Sequence, residues 1–212
     1  MRKKLMLITL IAFPALGFAE QKQGGLAIRV VGYPGLSRET LRQASVMAEG
    51  IFRMAGVDTE WLPCYASDEK ESCKLPSSET QLVIRILSAS MQTPRGANEP
   101  IGIALPERSL AYVFYGNVEQ SRLLGHDYGC SVLLAAVLAH EAGHLLGVEH
   151  SEAGIMHANF GTKDMAQFMQ GRLKFNAIQE KQLRSAIGDR LRRNEEVALT
   201  ASAPNAGAPE PR

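Results

Sequence analysis

Past its first nineteen residues the chain has no apolar run near the ~20 residues a membrane-spanning helix needs, which argues against a helical membrane protein. An excess of either charge is missing too. Without residues 1–19, which hold three basic and no acidic residues, Lys+Arg falls from 23 to 20 against 22 Asp+Glu, a formal net charge of −2. No basic field therefore marks the chain for nucleic acid or anionic membranes. Cysteine is scarce, three in 212 residues, so no dense disulfide framework holds the fold. There are no internal repeats. Residues 20–212 suffice for one domain with a sizeable core, or one domain and a tail.

The N-terminus has the layout of a signal peptide. Arg2, Lys3 and Lys4 form a basic start, Leu5 to about Leu16 an apolar stretch, and Gly17, Phe18 and Ala19 a cleavage region, with the cut expected after Ala19. The apolar stretch is short for an uncleaved anchor. No lipid-modifiable cysteine follows it, so the expected destination is the periplasm or the medium, with no stable membrane insertion after cleavage.

The most informative segment is HEAGHLLGVEH, His140 to His150. His140 and His144 are four residues apart, hence one turn apart on the same face of a helix, where they can grip one metal ion. Glu141, beside the first, can face the open side of that metal as general base to a bound water. Gly147 lets the chain leave the helix in a left-handed conformation, and His150 returns as third ligand. Three histidines leave the fourth position of a zinc ion for water, the mark of a catalytic rather than a closed structural site. An HExxH motif alone is also met as an ordinary helix with two surface histidines; five fixed positions, three of them the uncommon histidine, make a chance match rare. His126 and His157 lie outside the pattern and are read as surface or hydrogen-bonded loop histidines.

This pattern resembles the metzincin clan of zinc endopeptidases, whose signature HExxHxxGxxH is followed by a methionine-bearing turn. The segment SEAGIMHANF supplies Met156, preceded by Gly154 and Ile155. The resemblance implies that Met156 forms an apolar floor beneath the three histidines, a place suited to a flexible, polarisable thioether. In detail it covers about Val132 to Phe160. The brief connection from His150 to Met156 looks most like matrixins and small bacterial relatives. Astacins carry a zinc-binding tyrosine two residues past the methionine, where this chain has Ala158, so no tyrosine ligand is expected. Cys64, in LPC, invites comparison with the cysteine by which matrixin pro-segments block zinc, but its surroundings do not match that motif. No folded pro-domain is read before the first strand. The extra His/Asp spacing of a structural zinc site is missing, as is a dense acidic loop for calcium. One catalytic Zn2+ and no obligatory calcium are expected.

Along the chain, residues 26 to 31 (LAIRVV) read as a buried strand. Ser37 is a helix N-cap, and Leu41, Ala44, Ala48, Ile51, Phe52 and Ala55 recur at helical spacing up to Gly56. Asp58 to Leu62, Gln81 to Leu87, Ile101 to Leu105 and Ala111 to Tyr115 read as further strands, the last two separated by the turn PERS. Val132 to Leu146 is apolar nearly all round, as a helix crossing the core should be. A polar loop follows the methionine turn, and Asn176 with Gln179 then forms a capping-box pattern before an amphipathic helix bearing Ile178, Leu183, Ile187 and Leu191. Cys64 and Cys73 flank a polar loop and can close a short local disulfide. Cys130 is read as a buried thiol, the other reading being an intermolecular bond.

The expected organisation is a signal peptide at 1–19, a zinc peptidase domain at 20–194 and a disordered tail at 195–212. The expected fold is α+β, a metzincin-like (zincin) domain with a twisted, mixed five-stranded sheet, an active-site helix, a Met-turn and a C-terminal helix. The resemblance further implies that substrate backbone pairs with an edge strand, here Ile101, Gly102, Ile103, Ala104 and Leu105. It also implies a specificity pocket walled by Val137 and residues His157 to Phe160. The expected function is an exported zinc metalloendopeptidase, acting as a monomer on a peptide or protein. Its rivals are a non-catalytic zinc-containing peptide-binding module and an enzyme acting on its own precursor or one dedicated partner.

Overall fold

A computed structural model of the chain describes residues 25–74, 81–88, 100–123 and 129–202. The expected signal segment, His126 and the last ten residues of the expected tail lie outside these. No described helix is long and apolar enough to cross a membrane.

Five strands form one mixed sheet: β1 (Leu26–Gly32), β2 (Thr59–Tyr65), β3 (Gln81–Leu87), β4 (Gly102–Leu105) and β5 (Leu110–Phe114). Their order is β2-β1-β3-β5-β4, parallel except for β4, which runs antiparallel to β5 at one end of the sheet. Its apolar run explains β1: Leu26, Ile28 and Val30 alternate along the strand, share one face and are fully buried. A tight connection, a 3-10 turn at Pro106–Arg108 with Ser109 at φ 50°, joins the two antiparallel strands.

Helix α1 (Arg38–Met54) starts at Ser37, whose Oγ accepts from the Thr40 amide at a long 3.5 Å. It ends at Gly56, where φ is +71°. Its buried face, Leu41, Ala44, Ala48, Ile51 and Phe52, packs on the sheet and on α4 (Cys130–Leu145). Alanine and leucine make α4 a strong helix former, and its apolar surround makes it a core helix. Residues Leu134 to Ala139 are all essentially inaccessible to solvent. The core is closed below by Phe175, whose ring meets Phe52 edge-on at 5.2 Å.

The remaining helices depart from expectation in several places. A helix α3 (Tyr115–Leu123) follows β5 directly, and α5 (Thr162–Met169) lies within the stretch expected to be a polar loop. The four-residue α2 (Glu71–Lys74) carries Cys73. In α6 (Ala177–Ser202) the capping box is formed, with Asn176 Oδ1 accepting from the Gln179 amide and Gln179 Oε1 from the Asn176 amide, each at 3.0 Å. Leu183 and Ile187 are buried as expected. Ile178 is 73% exposed instead, because it falls in the first turn on the outer face. The helix also continues to Ser202, so the expected unstructured tail does not begin at Glu195: Glu, Ala and Leu in 195–202 are good helix formers that extend an existing helix without a new nucleus.

Cys64 and Cys73 are joined, and Arg29, from β1, donates to the Cys73 carbonyl at 3.2 Å. Cys130 is the free thiol; it is half-buried rather than fully enclosed.

Candidate metal and active site

Helix α4 brings His140, Glu141 and His144 to one end of the sheet, and the turn after it returns His150. The helix closes in a Schellman arrangement: the Val148 amide donates to the Gly143 carbonyl at 3.0 Å and the Gly147 amide to His144 at 2.9 Å, with Gly147 at φ +78°. The Nε2 atoms of the three histidines then lie 3.0, 3.0 and 3.2 Å from one another.

Hydrogen bonding defines which nitrogens carry protons. Nδ1 of His140 is 2.9 Å from the Ile155 carbonyl, and Nδ1 of His144 is 2.8 Å from the Val148 carbonyl. A carbonyl only accepts, so both Nδ1 atoms are protonated, and in the neutral rings both Nε2 atoms present bare lone pairs. Burial holds His140 well below the usual imidazole value, at about 4, and lowers His144 too, so the neutral rings are favoured. Two bare lone pairs 3.0 Å apart repel, and a shared cation relieves the repulsion. Three nitrogens about 2.0–2.1 Å from one tetrahedral ion would stand about 3.3 Å apart, close to the spacing found. The donor set, three imidazoles with two of them oriented by backbone carbonyls, fits one zinc ion. His140 is buried, His144 half-buried and His150 exposed, which leaves the group open on the solvent side.

Beneath the histidines the chain turns sharply. Gly154 has φ +83°, and a Cβ there would lie 2.7 Å from the Lys174 carbonyl. The Ser151 amide donates to the Met156 carbonyl at 2.9 Å, closing the turn. Met156 is fully buried, and its sulfur stands where a side chain on Gly143 would be, between the two ligand-bearing turns of α4.

Glu141 is 4% exposed, and its Oε2 has no hydrogen-bond partner among the described residues. Burial alone raises its carboxyl to about 8. A cleft of about 760 Å³ opens beside it, lined on one side by Ile101 to Ala104 of the β4 segment and on the other by Val137 and the three histidines. Leu105, at the end of the same strand, does not line it.

Residues 158–160 line this cleft and His157 does not. Its Nδ1 lies 3.0 Å from Asp164 Oδ2, which also accepts from the Gly161 amide at 2.9 Å, so the imidazole ties the post-turn loop to α5. Asn117 and Gln120 of α3 also line the cleft and were not anticipated. Their helix carries no apolar period to announce it. Asn117 Nδ2 donates to the Pro100 carbonyl at 3.0 Å and so steadies the entry to β4.

No protein-family model and no curated relative matches the chain. Solved structures share its fold. A zinc-dependent peptidase from Methanocorpusculum labreanum superposes with a TM-score of 0.50 at 14% identity, over 74% of this chain and 99% of that one. Archaemetzincin from Methanopyrus kandleri gives 0.52 at 15% identity, over 80% and 99%. At such identities the likeness is one of fold.

Proposed function

We propose that the protein is an exported zinc-dependent metalloendopeptidase of metzincin type, nearest in motif to matrixins and their small bacterial relatives. The observation that carries this reading is the meeting of three imidazole Nε2 atoms, two of them bare, with a buried Glu141 carboxyl whose Oε2 has no partner among the described residues, at the side of an open cleft. The zinc-dependent peptidase and the archaemetzincin that share the fold support it, as does the sequence signature. His140, His144 and His150 hold the ion, which supplies a Lewis acid able to bring water toward a pKa of about 7.

Glu141 is the general base. Burial raises its carboxyl toward the protonated form in the metal-free protein; the positive charge of an ion held by the histidines would oppose that shift and leave a carboxylate able to take a proton from the attacking water and deliver it to the leaving amine, with no covalent enzyme intermediate. The backbone of β4, at the end of the sheet, pairs with an extended substrate; main-chain pairing binds many sequences with little choice among them. Val137 and residues 158–160 wall the adjoining pocket, and Met156 floors the metal site. The chain acts as a monomer, without calcium, in the periplasm or medium.

Incubation of the protein beginning at Glu20 with a broad peptide library tests this. Internal cleavage that a chelator abolishes and added zinc restores is the expected outcome. A zinc-replete protein that binds peptides and cleaves none would establish a binding module instead.

A further inference from the structure

Gly102 has no conformational reason to be glycine. The described glycines with left-handed backbone are Gly56, Gly147, Gly154 and Gly171, and Gly102 is not among them. It sits in β4 opposite Val113, in backbone that any residue adopts. Space is the distinguishing feature: a Cβ built on Gly102 would overlap the Glu141 carboxylate, coming within 2.6 Å of Cδ and 2.8 Å of Cγ.

Neither backbone is free to withdraw. The strand is fastened just before Gly102, where the Phe114 amide donates to the Ile101 carbonyl at 2.8 Å and Asn117 holds Pro100. The helix is fixed by burial, with His140 and Ala142 enclosed on either side of Glu141. The end of the Glu141 side chain is the part that can move.

We infer that Gly102 is a positioning residue for Glu141: the side chain it lacks is the space in which the carboxylate stands. The inference rests on the proposed role of Glu141 as base for its catalytic meaning, while its steric content is independent of activity. An alanine at 102 displaces the carboxylate by about 1 Å to reach ordinary contact distance, a misplacement of the size that can reduce turnover about 10²-fold.

A stability cycle on metal-stripped protein tests the steric part: Gly102→Ala made in the wild type and in Glu141→Ala, each followed by thermal unfolding. The expected result is a fall in Tm on the order of 3–6 °C in the presence of Glu141. With Glu141→Ala, Tm should be unchanged or raised, since alanine restricts the unfolded chain more than glycine does. Equal falls in both backgrounds, or failure of both to fold, would overturn the inference; folding of the double variant alone would support it. In zinc-loaded protein, Gly102→Ala should keep full zinc content and a near-normal KM while kcat falls about 10²-fold. Unchanged kcat, or a loss confined to KM, would assign the glycine to strand pairing. If wild type cleaves nothing, the peptidase reading fails and the stability cycle still decides the steric inference.

Discussion

His140 and Glu141 are adjacent on α4, and burial drives each toward its uncharged form, the imidazole down to about 4 and the carboxyl up to about 8. For stability the two act in opposite senses. The unfolded imidazole binds its proton first, so lowering the pH from 6.5 toward about 4 weakens the metal-free fold. For Glu141 the folded state keeps the proton longer, so stability is lost as the pH rises from 4.5 to about 8 and is level above that. Glu141→Gln removes only the second effect. In metal-stripped protein, wild type should therefore lose stability relative to Glu141→Gln across that window, by on the order of 2–5 kcal/mol in chemical denaturation. Parallel pH profiles would show that this carboxyl is solvated or paired. The histidines and Glu141 could be picked out from spacing alone. Gly102 could be named as part of an edge strand, but its closeness to Glu141 is a tertiary approach between residues far apart in the chain, which no local pattern encodes.

At the scale of elements, the legible parts are those whose apolar period matches their geometry. Strands β1, β2, β3 and β5, with α1 and α4, each carry buried residues at the expected spacing, and the start of α6 carries a paired cap; β4 has no fully buried residue and was legible from its β-prone residues alone. Helix α3 was not legible because YGNVEQSRL has little apolar periodicity; Tyr115 and Val118 are the hydrophobes buried among its described side chains. In α5 the buried residues are Met165 and Asp164, and the latter is held by a turn amide and His157 rather than by an apolar face. The end of α6 was hidden because Val197 and Leu199 are exposed and form no buried stripe. The disulfide was legible from its short, polar loop. Closing so short a loop stabilises by roughly 2–3 kcal/mol at most in the chain-entropy model. Reduction should thus increase hydrogen exchange in β2 and α2 while zinc content stays at one per chain. Zinc release on mild reduction would show that the loop and the metal site are coupled.

Across the whole molecule, one sheet edge, one core helix and one sharp turn converge on one cleft; the two solved structures share the fold over 74% and 80% of this chain. Composition alone established little beyond the size of the domain; the zinc motif and its turn carried the reading from architecture to chemistry. Export belongs to this scale as well. Protein recovered from periplasm or medium should begin at Glu20, by N-terminal sequencing, and recovery of intact Met1 in membranes would contradict cleavage after Ala19. The central claim is that His140, His144 and His150 bind the zinc while Glu141, which is no ligand, performs the proton transfer. Zinc content and peptide turnover measured together on wild type, Glu141→Ala and His144→Ala test it most directly. Wild type should hold one zinc and cleave, Glu141→Ala should hold one zinc with turnover lower by several orders of magnitude, and His144→Ala should lose both. Turnover by Glu141→Ala equal to that of wild type at equal zinc content would contradict the account.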